Sequence, residues 1–444
     1  MPVYRGAFGR KEAERLLWRA GFGPRPGEAA RVARKGLKRA VDDLVYPPRV
    51  RMSGKAPTDE DGAPIAPRDA WGHDHLWWLD RMVRTNQPLV ERMTLIWHDW
   101  FATSNEGVGS QKWMLTQNQT MRTNALGSFE RLLLALTHDP AMLIWLNGNQ
   151  NTRWDPNENY ARELMELFTL GAGQGYTEDD VREQARALTG WRNDWREGLG
   201  DVNFRYDANR HDGGVKVIFG QSGRFTWIDA CRLCLRHPAH ARFFVRKLWS
   251  YFIPTPPPAA TEAALRTLYR RSGYQIRPVV SAILRHPGLY TGPRMVKPPA
   301  VQVAGMLRAR NRTVDTEVWS WVSELDGQRL FLPPNVAGWN EDRWLDTSTM
   351  RGRWTAANYV ALPYALDTDQ WRGKLSLDPS KLVDSALSFW GTPTIAPESR
   401  QALTTFAATA LGDADQSWER AEYPVLIVNA LRLLIAVSPD YVTC

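Results

Sequence analysis

Apolar residues recur at three- and four-residue intervals along most of this chain, the pattern of helices that each bury one stripe. The pattern runs over residues 12–18, 29–45, 70–84, 89–101, 129–137, 159–170 and 178–189. It returns over 228–235, 239–252, 262–272, 276–284, 298–309, 355–366 and 423–436. Alternation with a period of two is scarce. Its best example, Gly214 to Phe219, is expected to pair with Val202 to Tyr206 as a short hairpin. The expected fold is all-α: a large multi-helix body with long irregular loops and at most that one hairpin.

The helical pattern fails in five places: 47–67, an Asn-rich loop at 147–157, 191–214, a stiff Pro254 to Pro258 stretch, and a Trp-, Asn- and Asp-rich segment at 332–353. Loops of this length inside a compact helical body tend to carry function. The proline stretch suggests a division into residues 1–253, holding the polar motifs, and 254–444, packed on them. A single undivided domain is the alternative.

Composition narrows the classes. With 444 residues and 43% of them hydrophobic, the chain can build a core, which excludes a disordered protein. The net charge of +8 is spread without a basic block, so nucleic acid is the least favoured partner. Three cysteines rule out a disulfide scaffold and fit a reducing compartment. No signal core opens the chain. The longest apolar stretch, 423–437, is broken by Asn429 and Arg432 and falls short of the ~20 residues a membrane span needs. The chain as written reads as soluble and cytoplasmic, with no membrane partner. Tryptophan is the outlier, at 21 residues; large rings build cores and also form platforms for sugars.

No phosphate-binding loop, dinucleotide turn, zinc helix or nucleophile elbow is present. Cys231, Cys234, His237 and His240 have the look of a metal run, but helical spacing spreads them around the circumference and Pro238 interrupts them. More informative is the helix around His98, apolar in almost every direction and therefore buried. Glu91 and His98 lie seven residues apart on one face, with Thr94 beside them. A buried carboxylate and imidazole need each other, a metal or a substrate; a hydrogen bond pinning two helices is the plainer reading.

A second cluster follows the Asn-rich loop. Glu158, Asn159, Arg162, Glu163 and Glu166 share one arc of the helix that Asn157 opens. Three carboxylates with one arginine can hold one carboxyl protonated and another ionised, as glycoside hydrolysis requires, or can bind a hard cation. A solvated helix face is the plainer reading. His211 sits in an irregular loop before Gly213 and Gly214, where side chains can converge on a site. Trp339 and Trp344 flank Asn340 to Arg343 as a sugar-stacking or lid element, or as two buried anchors of a surface loop.

Several stretches resemble a known bacterial family, the domain of unknown function numbered 1800. They include Leu16 to Pro24, Trp97-His-Asp-Trp-Phe-Ala-Thr-Ser104, Pro156-Asn-Glu-Asn-Tyr-Ala-Arg-Glu-Leu-Met-Glu-Leu-Phe-Thr-Leu-Gly171 and Tyr176 to Val181. Ala185 to Trp191, His237 to Trp249, and Gly327-Gln-Arg-Leu-Phe-Leu-Pro-Pro-Asn-Val-Ala-Gly-Trp339 complete the set. The resemblance brings no established activity. It implies proteins that often look exported and lie beside a sulfatase-like family, hence extracellular polymers and a sulfatase-like partner. The chain departs from it in lacking an export signal, and in carrying Asp99-Trp100 where similar proteins are expected to have Asn-His.

The readings that follow are three. In the first, a hydrolase or lyase acts on a carbohydrate-like polymer, with Glu158, Glu163, Glu166, His98 and His211 as catalytic groups. Asn157, Asn159, Arg162, Trp339 and Trp344 would then bind the polysaccharide. In the second, Glu91 and His98, with the same carboxylates, hold a divalent metal. In the third, a non-catalytic accessory protein serves the sulfatase-like partner. The site is expected where the His98 helix, the Asn157 to Glu166 helix and the His211 loop meet.

Overall fold

A computed structural model describes residues 1–444, and 56% of them are helical. The all-α expectation holds. The only sheets are two small antiparallel hairpins, β1 (Trp191–Arg196) with β2 (Gly200–Tyr206), and β3 (Lys216–Ile218) with β4 (Gln221–Gly223). Both differ from the single hairpin expected. The segment Gly214 to Phe219 turns back on itself at Phe219 and Gly220, whose φ angles of 50° and 73° form a two-residue turn. It therefore pairs locally with β4. The strand over 200–206 finds its partner in 191–196, a stretch expected to be irregular.

The chain forms two compact, interleaved units. One gathers Met1–Val3, Val90–His286 and Phe331–Trp339; the other gathers Tyr4–Leu89, Pro287–Leu330 and Asn340–Cys444. Pro254 lies inside the first unit. In that unit an aromatic core surrounds the His98 helix, Pro88–Trp100: Trp97, Trp100, Phe101, Phe129, Phe168 and Phe244 are all fully buried. The buried indole N–H groups are satisfied by carbonyls, Trp97 donating to Ala125 and Trp100 to Phe168, both at 3.0 Å. Phe244 stacks on Tyr269 with centroids 4.0 Å apart. Helix starts carry the caps that orphan N–H groups require. Asp139 caps Pro140–Trp145, and Thr177 and Asp180 form a reciprocal box at the start of Glu178–Ala187.

In the other unit, buried arginines do the work of crosslinks. Arg308 donates to the carbonyls of Gly23 and Val83 and pairs with Glu28 at 3.2 Å. Arg353 donates to the carbonyls of Trp344 and Lys297, each at 2.9 Å. The helices outside the expected pattern here include Pro379–Phe389 and Pro397–Gly412. Both start with proline at N1, a start signal that periodicity alone overlooks.

Candidate functional site

The functional residues of the first unit are built around a local irregularity. The helix expected as one α-helix over 159–170 is α-helical only over Asn159–Glu163 and becomes a π-helix over Leu164–Thr169. A π turn bonds i to i+5 and widens the helix, so the regular wheel fails beyond Glu163; such turns recur at functional sites. Three consecutive carbonyls at its end each receive a side-chain donor: Leu167 from Lys247 Nζ at 3.0 Å, Phe168 from Trp100, and Thr169 from His240 Nδ1 at 2.9 Å. These donors come from the Trp97 to Ser104 and His237 to Trp249 stretches. The sequence assigns no site role to Lys247 or Trp100, and it presents His240 only as the last member of the Cys231 run. Their signal was membership of those stretches.

At the α-to-π junction Glu163 and Glu166 are half-buried, and neither makes a hydrogen bond or an ion pair. Burial pushes the Glu163 carboxyl above its ordinary value; the neighbouring Glu166 adds to this and Arg162 opposes it. Tyr176 stands beside Glu166, its hydroxyl pushed up first by burial and then by that carboxylate. Arg162 is committed elsewhere, to Glu178 at 2.7 Å and Glu158 at 3.0 Å. Glu158 thus belongs to a surface ion network that also includes Arg182 at 3.9 Å, apart from the unpaired carboxylates.

The Asn-rich loop is a set of clamps. Asn157 accepts from the Asn159 N–H, Asn159 donates to Asn147, Asn151 accepts from the Asn157 N–H, and Asn149 donates to Asn193 of β1. Within this loop Trp154 is 70% exposed. His211 accepts or donates at 3.1 Å with Thr189 and packs on Tyr206, while its neighbour Asp212 pairs with Arg186 at 2.7 Å. The His211 loop touches the Asn-rich loop, the Arg153 N–H donating to the Arg210 carbonyl at 2.8 Å. The His98 helix reaches the π segment through Trp100 and through Phe101, whose ring lies 5.0 Å from Phe168.

His98 itself is 1% exposed and lies against Phe331 and Trp339, with centroids 5.6 and 5.4 Å away. Burial pulls its pKa down to about 3, so it is neutral. Glu91 faces Arg122, which grips both carboxylate oxygens at 2.7 and 2.9 Å. That pair neutralises the carboxylate expected to join His98. No three His, Cys, Asp or Glu side chains stand together as a metal site requires. The Cys231 run also disperses: Cys231 meets Thr137 and Cys234 meets Gln184, and burial pushes the Cys231 thiol up to about 12.

Asp99, next to His98, is the residue that orders the returning segment 331–339. It accepts from the Tyr251 hydroxyl at 2.6 Å and from the Trp339 N–H at 2.8 Å. Gly338 meets it with φ +94°, and a Cβ there would lie 2.3 Å from the Asp99 carboxylate. Trp339 is 7% exposed. In the other unit Trp344 is 4% exposed, with Glu341 to Arg343 as an exposed turn between. Both rings are anchors with no open face, the plainer of the two readings of that loop.

A family model described as a protein of unknown function (DUF1800) matches residues 15–443. The chain belongs to this family. Neither the curated proteins nor the solved structures include a match. The stretches Trp97 to Ser104, Pro156 to Gly171, His237 to Trp249 and Phe331 to Trp339, which meet around the π segment and Asp99, all lie within the matched range. No helix is long and apolar enough to cross a membrane.

Proposed function

We propose that the chain is an acid–base enzyme, a hydrolase or lyase acting on a carbohydrate-like polymer at the Glu163/Glu166 junction. One observation carries this reading: two neighbouring half-buried carboxylates stand without any ion pair although Arg162 immediately precedes the first of them, because that arginine is turned to Glu158 and Glu178. An unpaired carboxylate pair in partly desolvated surroundings is a costly arrangement that structure alone does not call for. Glu163, whose proton burial favours, is the acid. Glu166 is the base, and Tyr176 borders it. The exposed Trp154 ring on the loop leading in offers a sugar-stacking face. Glu158 and Arg162 are positioning residues that hold the first turn to Glu178. His98 and His211 lie outside the proton transfer in this reading, and neither a metal nor a sulfatase-like partner is invoked.

The test is a panel of polysaccharides incubated with the purified protein, scoring new reducing ends and, for a lyase, absorbance of the unsaturated product. Glu163→Gln is expected to lower turnover by about 10²–10⁴-fold, and Glu166→Gln similarly, while Glu158→Gln stays within about tenfold. Full activity in Glu163→Gln would falsify the assignment.

A further inference from the structure

A second feature of the first unit has no part in the proton transfer just described. A cavity of about 440 Å³ is lined by Gly175, Asp180, Phe219, Gln221, Arg236 and His237, with Leu233 behind them. Its size is that of small-molecule sites. One wall is the tip of the β3–β4 hairpin, held in place by Asp180, which accepts from the Phe219 N–H at 2.6 Å. The same carboxylate also accepts from the Thr177 N–H at 2.8 Å and the Thr177 hydroxyl at 2.9 Å, so its hydrogen-bonding capacity is already engaged within the fold. The opposite wall is the end of the helix Trp227–Arg236. There His237 packs its ring 4.8 Å from that of Phe219.

The two charged groups of this cavity, Asp180 and Arg236, are not equally engaged. Arg236 is exposed and makes no ion pair. Arg270 donates to the carbonyl of the lining residue Pro238 at 3.3 Å and holds that part of the wall from outside the cavity. His237 accepts from the Ala239 N–H at Nδ1, 3.3 Å away, which leaves its proton on Nε2. Burial pulls its pKa below the ordinary value, opposed by a hydrogen bond to the Gly175 backbone, so the ring serves the cavity as a neutral face and its N–H is already engaged. One unpaired guanidinium, a carboxylate whose lone pairs are taken, an amide from Gln221 and two ring faces suit a sugar-sized ligand with one negative group. Guanidinium matches a planar carboxylate in particular, through paired N–H donors.

We propose that this cavity binds a uronic acid residue, its carboxylate on Arg236 and its ring against Phe219 and His237. The cavity also adjoins the carboxylate junction through the chain: Gly175 lines it and the next residue, Tyr176, stands beside Glu166. The inference therefore names acidic polysaccharide as the substrate class of that junction. It rests on the acid–base reading for that link alone, and the binding stands without it.

Isothermal titration of the full chain with a galacturonate trimer, a sulfated trisaccharide and a neutral glucan trimer tests the proposal. The galacturonate trimer is expected to bind the wild type and Glu163→Gln equally and to lose at least about tenfold in Kd with Arg236→Gln. Arg236→Lys should recover part of the loss. Arg236 is exposed, so circular dichroism and Tm should not move in either variant. Absent uronate binding, unchanged binding in Arg236→Gln, or equal binding of the neutral trimer overturns the proposal. Tighter binding of the sulfated sugar overturns the choice of carboxylate. If uronate binds through Arg236 but no acidic polymer is cleaved, the acid–base reading falls and the cavity assignment stands.

Discussion

His240 shows how a single buried group sets a condition on the whole fold. Its Nδ1–H donates to the Thr169 carbonyl, and its Nε2 accepts from the Tyr269 hydroxyl at 3.0 Å, so the ring is locked in its neutral form. Burial lowers its pKa from 6.5 to about 4. The unfolded chain then takes up this proton first. The stability it contributes is complete above pH 6.5 and is lost as pH falls toward 4, by up to about 3 kcal/mol. His75 and His98, each lowered to about 3 by burial, act in the same direction. Denaturant unfolding between pH 7.5 and 4.5 should show a shallower acid decline for His240→Gln than for the wild type, although the variant starts lower. Parallel declines would mean that the imidazole is already charged in the fold. At this scale the sequence was legible in part. The apolar surround of His98 announced its burial, but Glu91 was read with His98, because nothing in a linear pattern shows that Arg122 arrives from another helix to take the carboxylate.

Among the elements, the π segment positions the candidate site, and the return segment 331–339 closes over His98 and Asp99. The π turn was not legible, since Leu164 to Thr169 keeps an ordinary helical apolar pattern; the wider turn is stabilised by donors from Trp100, Lys247 and His240, which lie far off in sequence. The hairpins were half legible. The alternation over 214–219 was real, but the two-residue turn at Phe219 and Gly220 chose the local partner over the distant one. In the return segment Gly338 has a specific burden. Its φ of +94° disfavours any side chain, and Asp99 occupies the space a Cβ would need. Gly338→Ala is expected to destabilise the protein by about 2–4 kcal/mol, read as a drop in the denaturant midpoint. An unchanged midpoint would show that the Asp99 latch bears little of the stability. Because Asp99 also holds Tyr251, near-UV circular dichroism should change along with it.

For the molecule as a whole, the all-α class was legible because helices announce themselves by local periodicity. The interleaving of two units was not, because a proline stretch marks a break in an element and not in a core. Pro254 is such a break, lying within the unit that runs from Val90 to His286 and is completed by Phe331–Trp339. That completion can be tested directly. A chain ended at His286 keeps most of the first unit but lacks the nine-residue return that covers His98 and receives Asp99. It is expected to give native-like far-UV but weakened near-UV circular dichroism, and a peptide spanning 329–341 added in trans should restore part of the signal. A fully native near-UV spectrum without the peptide would sink this account.

The same return segment has a consequence for how the protein comes into being. A ribosome releases the chain from its beginning, and residues 90–286 are out well before residue 331 follows. Throughout that interval the His98 and Asp99 face has its aromatic neighbours from 90–286 but not Phe331, Trp339 or the Trp339 N–H. Contacts that join residue 99 to residue 339 close late by construction, and long sequence separation of this kind slows folding. During synthesis the His98 and Asp99 face is therefore the last part of its unit to be finished, after the Glu163/Glu166 junction has been released, and the nascent chain carries an apolar, acid-bearing face that a chaperone is suited to shield.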